Sequence, residues 1–313
     1  MKNMKAIVTD PKAEGHFALV DLAEPTPYPS EALVRVKAIS LNRGEVRRAM
    51  ASQECYVPGW DLAGEVMQPA ADGSGPQAGV RVVGFLSTGA WAQRVAIPAS
   101  AIAEIPDSVP FSQAATLPVA GLTALFSIQK AGNLLGRRVL VTGASGGVGD
   151  FAVQLAYRAG AVVAGITRHQ EYVKMVREAG ASNIIVGDPA GAAGFGPYRL
   201  ICDGVGGDTL STVVNMLAPG GICVTYGPLT HHEITLDLRA VVQTPSAHLT
   251  GLYVLTELKN EPPSIGLARL LALIQDGRLR PHIEVEAPWE QVVQVSQRLM
   301  ERQYAGKAVL LVG

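Results

Sequence analysis

Residues 137–160, RRVLVTGASGGVGDFAVQLAYRAG, restrict this chain more than any other stretch. An apolar run (Val139, Leu140, Val141) leads into Gly143, and a tight loop holds Gly146, Gly147 and Gly149. Helical spacing then puts Val148, Phe151, Ala152 and Leu155 on one face and stops at Gly160. Strand, glycine turn and helix in that order let backbone approach a pyrophosphate closely, with helix N-terminal amides aimed at its charge. A glycine pattern alone is weak, but the strand before it and the helix after it predict a dinucleotide site. Its loop contacts are Gly143, Ser145, Gly146, Gly147 and Val148.

The rest of the chain divides around this motif. Residues 4–105 hold short runs rich in Val, Ile and Ala, such as EALVRVKAIS and WAQRVAIPA, separated by Pro25, Pro27, Pro29, Gly73, Gly75, Pro76 and Gly79. That punctuation predicts a mainly β unit. The period changes over 111–131, where Leu122, Leu125, Phe126 and Gln129 share a helical stripe that stops at Gly132, so the β unit ends near Ala115–Pro118. From 137 strands and helices alternate: AVVAGIT, QEYVKMVREAG, NIIVG, YRLICDGVG, a helix over 208–221, ICVTYG, and a strand candidate over 246–258. Alternation at this spacing predicts a parallel, doubly wound sheet, hence an α/β chain with two domains. A helix over 264–276 follows, and the last strand, after Gly306, is a candidate to return to the N-terminal domain.

Composition narrows the partners. The 313 residues are 48% hydrophobic and 17% charged, a core-forming chain long enough for about two domains. A net charge of −1, with both signs spread along the chain, leaves no electrostatic footprint for nucleic acid or an anionic membrane. Cys55, Cys202 and Cys223 form no CxxC pair and suit a reducing compartment. With no apolar leader in MKNMKAIVTD and no uncharged run of bilayer length, the expectation is a soluble cytoplasmic protein.

The second strand of the alternating region discriminates between nucleotides. An NAD site usually places an acid there, on the ribose 2′-hydroxyl. Here the strand ends Ile166-Thr167-Arg168-His169, and no Asp or Glu lies between Asp150 and Glu171. Thr167 offers a hydroxyl and Arg168 a bidentate guanidinium to a 2′-phosphate, which favours NADPH; the alternative is a solvated arginine on a loop. The histidines His16, His169, His231, His232, His248 and His282 show no helical ligand spacing, and none lies near a cysteine in sequence. His231 and His232 beside Glu233 read as a solvated polar loop. No zinc site is expected.

Taken together, VKAISLNRGEVR (36–47), GWDLAGEV (59–66), AATLPVAGLTAL (114–125), VLVTGASGGVGDFAVQLA (139–156), ICDGVGG (201–207) and GKAVLLV (306–312) resemble zinc-independent members of the medium-chain dehydrogenase/reductase superfamily, of the quinone oxidoreductase type. The resemblance spans nearly the whole chain. It implies a GroES-like catalytic domain from residues 1–117 and 278–313, a Rossmann domain from 118–277, and a cleft holding NADPH. It also implies homodimers that pair edge strands of the cofactor domains, here residues 248–255. Zinc-dependent relatives read Gly-His-Glu where this chain has Gly59-Trp60-Asp61, and their first cysteine ligand aligns with Asn42. An indole has no lone pair for a metal, so Trp60 either walls the cleft or is a core aromatic.

By the same resemblance, the nicotinamide end is contacted by Asn42, Thr123, Tyr226 and Gly227, with a turn, a helix cap or packing as their alternatives. NADPH-dependent relatives often carry a lysine where Tyr172 stands, which leaves Arg168, Thr167, His169 and the Tyr172 hydroxyl for the 2′-phosphate. Lys307 is either a phosphate contact or a solvated lysine. The implied reaction is hydride transfer to a quinone or another activated conjugated carbonyl, a small-molecule substrate. Tyr56 is the candidate proton or hydrogen-bond donor to the developing enolate, its alternative being a pocket wall. Two other functions stay open: reduction of an enoyl thioester or 2-alkenal, and NADPH binding with little turnover by a sensor or structural protein.

Overall fold

The computed structural model describes residues 3–227 and 233–313. They form two compact units, one from residues up to Leu122 together with Leu258–Gly313, the other from Thr123–Glu257.

The first unit is built on strands β1 (Asn3–Thr9), β2 (Phe17–Ala23), β3 (Glu31–Ser40), β4 (Asp61–Gln68), β5 (Arg81–Phe85), β6 (Arg94–Pro98) and β7 (Ile102–Glu104). β1 and β2 form a hairpin-like antiparallel pair, tied to the main body where the Ile7 amide donates to the Trp91 carbonyl at 2.9 Å. The long strand β3 pairs β4 on one side, and β6 joins it off the main path of the sheet. The Pro- and Gly-rich stretches of the sequence lie between these strands. The apolar side chains converge on one core that includes Trp91, Ile39, Leu62 and Ile97, all fully buried. Short helix α1 (Arg43–Met50) follows β3 directly, and α2 (Phe111–Ala115) comes after β7. The expected helix over 111–131 is interrupted: a π-type turn at Leu117–Gly121, carrying Pro118, separates α2 from α3 (Leu122–Gln129). Proline lacks the amide needed to continue an α-helical ladder, which accounts for the break.

The second unit carries β8 (Arg138–Thr142), α4 (Gly147–Arg158), β9 (Val162–Thr167), α5 (Val173–Glu178), β10 (Asn183–Val186), β11 (Tyr198–Asp203), α6 (Gly207–Val213), β12 (Leu217–Thr225), α7 (Leu238–Gln243), β13 (His248–Gly251) and α8 (Val254–Glu257). Its six strands are all parallel in the order β10-β9-β8-β11-β12-β13, the doubly wound arrangement that alternation in the sequence implied. Winding reverses between β8 and β11, where such sheets bind ligands at their carboxyl ends. Two boundaries differ from expectation. The helix placed over 208–221 stops early, because Pro219 and Gly220 (φ 68°) cannot extend it, and β12 takes over from Leu217. The strand placed over 246–258 is four residues long before the chain turns into α8.

The chain then returns to the first unit with α9 (Pro263–Gln275), β14 (Ile283–Pro288), α10 (Val292–Met300) and β15 (Lys307–Leu311). Helix α9 was expected in the Rossmann segment, but its apolar residues Leu267, Leu270, Leu271 and Ile274 are buried and it packs on β5 and β7, so it belongs to the first unit. The final strand does return: β15 lies antiparallel to β3, with Leu310 opposite Ile39, and completes the order β14-β15-β3-β4-β5-β7.

Close approach explains the glycine of the opening motif. A Cβ on Gly149 would stand 2.1 Å from the Gly143 carbonyl oxygen, so any side chain there pushes α4 off the end of β8. Gly149→Ala should therefore destabilise the second unit by about 1–3 kcal/mol, as overpacking does. Urea unfolding followed by circular dichroism measures it, and an unchanged midpoint would contradict the close contact.

Candidate functional site

At the carboxyl end of the parallel sheet, polar side chains tie the strand ends together. Asp203, fully buried at the end of β11, accepts from the Thr142 hydroxyl (2.7 Å) and the Thr225 hydroxyl (3.0 Å), which end β8 and β12. It also takes the Gly206 amide at 3.1 Å, while the Gly204 amide donates to Thr142 Oγ1 at 3.1 Å. One carboxylate thus fixes three strand ends and the loop between β11 and α6.

The glycine loop sits beside this knot. Gly143 adopts φ 61°, Gly146 caps α4 in extended conformation, and the Gly146 amide donates to the Gly143 carbonyl at 2.8 Å. The first-turn amides of α4, from Gly147, Val148 and Gly149, have no acceptor within their own helix, which is the donor set an anionic pyrophosphate needs. The donors and the crowded Gly149 contact fit a dinucleotide.

The remaining residues foreseen for the cofactor fall into two groups. Ser145 Oγ and Thr167 Oγ1 are 3.0 Å apart, and Thr167 is buried, so its hydroxyl is directed to the loop. Arg168 and His169 are exposed at the end of β9, and the His169 ring meets the Tyr172 ring edge-on with centroids 5.9 Å apart. Among the described residues Arg168 makes no ion pair. Tyr226, just past β12, packs its ring against Gly204 and has a buried hydroxyl with no hydrogen-bond partner among the described residues, and burial pushes its pKa well up. Gly227 follows it. Thr123 is buried in the first turn of α3. His231 and His232 lie outside the described residues.

In the first unit the structure assembles a cluster that the sequence did not announce. The Asn42 side chain is its hub: Nδ2 donates to Glu45 Oε1 (3.0 Å) and Asp61 Oδ2 (2.8 Å), and Oδ1 accepts from Lys307 Nζ at 2.6 Å. Lys307 Nζ also donates to the Leu41 carbonyl (3.0 Å) and stands 3.7 Å from Asp61 Oδ2. Asp61 Oδ1 takes the Val119 amide at 3.0 Å, and Glu45 takes the Asn42 amide and the Trp60 amide, each at 2.7 Å. Glu45, Asp61 and Lys307 are all buried. Lys307 is therefore neither a solvated lysine nor a phosphate contact. Asn42 has both amide hydrogens committed, so only an oxygen lone pair is left for any ligand.

Local sequence explains the assembly. Asn42 and Glu45 stand at the cap and third position of α1, the spacing at which a glutamate reaches back to the cap amide. Gly59 has φ 104°, and a Cβ there would meet Trp91 Cδ1 at 2.0 Å, so only glycine lets the chain pass Trp91 and deliver Trp60 and Asp61. Next to the cluster, Glu45, Arg48, Tyr56, Trp60, Ser87 and Thr88 line a small recess open to solvent. Tyr56 is held there by its backbone, whose amide donates to Thr9 Oγ1 at 2.9 Å and whose carbonyl accepts the Thr9 amide. Among the described residues, no group of three His, Cys, Asp or Glu side chains gathers as metal ligands, and an ammonium stands beside Asp61.

Burial raises both carboxyl pKa values, Glu45 to about 8, with Asp61 adding to the effect, and Asp61 to about 6 against the opposing pull of Lys307. Burial pushes the Lys307 pKa down. A carboxyl with a raised folded-state pKa holds a proton that the unfolded chain has released, so it favours folding at low pH and loses that contribution as pH rises through the folded value. The stabilising share of Glu45 thus fades between about pH 5 and 8. Scanning calorimetry should show the melting temperature of wild type falling over this window relative to Glu45→Gln; a constant difference would contradict the raised pKa.

Comparisons with known proteins agree with this architecture. A model of the alcohol dehydrogenase GroES-like domain matches residues 28–107, and a model described as zinc-binding dehydrogenase matches residues 147–269. The synaptic vesicle membrane protein VAT-1 homolog of Homo sapiens is 30% identical over 322 residues, 93% of this chain and 81% of its own length. The quinone oxidoreductase from Coxiella burnetii superimposes with a TM-score of 0.87 at 25% identity, over 100% of both chains. Mycobacterial Rv1454c, complexed with NADPH, does so with a TM-score of 0.88 at 26% identity, over 98% of this chain and 99% of that one. The chain belongs to the medium-chain dehydrogenase/reductase superfamily and is quinone oxidoreductase-like within it.

Proposed function

We propose that this protein is an NADPH-dependent, zinc-independent reductase that delivers hydride to a quinone or another activated conjugated carbonyl. The observation that carries the reading is the end of β9, where an exposed Arg168, without an ion pair among the described residues, stands in place of the acid that would favour NAD. The NADPH complex of a structural neighbour supports the same choice. When bound, the cofactor supplies the hydride. The glycine loop and the first turn of α4 hold its pyrophosphate, with Ser145 as a side-chain donor. Arg168, His169 and Tyr172 surround the 2′-phosphate, and Thr167 acts from behind through Ser145. Tyr226 offers the nicotinamide end its hydroxyl, which has no partner among the described residues, with Thr123 and Gly227 as the other contacts there.

Tyr56, which lines the small recess of the first unit, donates a hydrogen bond to the carbonyl oxygen as charge develops on it, and Trp60 serves as an apolar wall. Zinc independence rests on the donor set: an indole at Trp60, an amide at Asn42 with its hydrogens engaged, and the Lys307 ammonium beside the Asp61 carboxylate. Among the described residues the edge strand β13 pairs only β12, and it exposes Leu249, which supports a homodimer formed there. Among the described residues no helix is long and apolar enough to cross a membrane, and the three free cysteines support a cytoplasmic location.

Calorimetric titration tests the cofactor choice. Arg168→Ala should weaken NADPH binding roughly ten- to a hundred-fold, the worth of one charge-assisted contact, and leave NADH binding nearly unchanged. Equal losses for both nucleotides would overturn the assignment.

A further inference from the structure

Reduction of a conjugated carbonyl needs a proton as well as a hydride, and the buried cluster of the first unit bears on where it comes from. Two carboxyls and one ammonium are enclosed together, so full ionisation would bury a net negative charge. An unpaired buried carboxylate is strongly disfavoured, and retaining one proton removes it. The pairing within the cluster says which carboxyl retains it. Asp61 is the one beside the ammonium, whereas among the described residues no cation lies within ion-pair distance of Glu45, and Lys307 acts on it from further away. Glu45 Oε1 already accepts two N–H groups, both from Asn42, while Oε2 accepts only the Trp60 amide and has a lone pair to spare. Burial and the neighbouring Asp61 push the Glu45 pKa up to about 8, in line with that placement. Glu45 is also the cluster's member that lines the recess with Tyr56 and Trp60.

We propose that Glu45 is the proton donor of the reaction, a catalytic carboxylic acid held neutral at physiological pH by the Asn42–Asp61–Lys307 cluster. This rests on the reductase reading above. For an enone, a C–H bond forms at the β-carbon with the hydride, and the electron pair of the C=C bond moves to give an enolate. The Glu45 O–H bond then breaks, its proton forms the C–H bond at the α-carbon, and the carbonyl is restored. Glu45 is left as a carboxylate and takes a proton back from water. Tyr56 holds the oxygen during the step, and Lys307 keeps Asp61 ionised so that the proton stays on Glu45. The other charged group facing the recess is the exposed Arg48 on the same helix, which offers the recess no second acid.

The test is the pH dependence of kcat for NADPH-driven reduction of 2-cyclohexenone, with wild type and Glu45→Gln. Wild type should lose turnover about tenfold per pH unit above pH ~8, once the acid has ionised. Glu45→Gln should lose roughly a hundredfold at pH 7 and show no alkaline limb. Because glutamine could disturb the cap of α1, infrared titration of the wild type gives a second readout. A protonated-carboxyl band should persist at pH 7 and vanish through about pH 8, and it should be missing from Glu45→Gln. A wild type with turnover whose alkaline limb survives in Glu45→Gln would overturn the assignment, as would absence of that band at pH 7. Absence of NADPH oxidation by wild type with enones or quinones would instead overturn the reductase reading, and the proton's destination with it.

Discussion

The first unit depends on one primary amide. Asn42 spends both hydrogens on two carboxyls and its oxygen on an ammonium, and these partners come from distant parts of the chain: Glu45 from α1, Asp61 from β4, Lys307 from β15. Each would be costly to bury alone, since removing a charge from water without a partner is heavily penalised. Together they satisfy one another and fasten the last strand of the chain to the loop after β3. The pairing of β15 with β3 is therefore a polar closure as well as a hydrophobic one. Glu45, bound to Asn42 in this knot, and Trp60, whose amide Glu45 accepts, both line the recess, so the interaction that closes the unit also positions its chemistry.

The second unit solves a comparable problem with a single carboxylate. Asp203 sits where strands end and backbone groups lose their sheet partners, and it gathers two threonine hydroxyls and the amides of the following loop. Backbone polar groups at a buried strand end need such partners. The outcome is a rigid rim at the reversal between β8 and β11, on which the glycine loop can offer unpaired amides without collapsing onto them. In both units a buried acid supplies order, but only in the first are two carboxyls enclosed together with a single ammonium. That crowding is what makes Glu45 chemically interesting, whereas Asp203 is held by hydroxyl and amide donors.

Much of this was legible in the residues. The glycine loop, the order of strand and helix, the return of the last strand and the missing acid after β9 follow from local spacing, because φ, periodicity and charge are properties of short segments. What escaped was tertiary. Glu45 reads as an ordinary capping residue, and nothing in GKAVLLV says that Lys307 is buried and not solvated. Asn42 was picked out as a ligand contact, yet its hydrogens belong to the protein. Helix α9 packs in the first unit although its place in the sequence points to the second, because an amphipathic helix does not declare which sheet its apolar face will cover. The strand expected over 246–258 was cut short for a similar reason: its Val and Leu residues suit a strand, but the chain turns at Leu252.

The resemblance to zinc-dependent enzymes makes the metal question the sharpest. In this chain the acid of Gly59-Trp60-Asp61 faces the ammonium of Lys307 and the amide of Asn42, and the proposed zinc independence rests on that donor set. The direct measurement is enone reduction by chelator-treated protein whose metal content is determined by plasma mass spectrometry, followed as zinc is added back. NADPH-dependent turnover is expected with far less than one metal ion per chain and no increase on addition of zinc. Turnover that appears only in proportion to added zinc would contradict zinc independence.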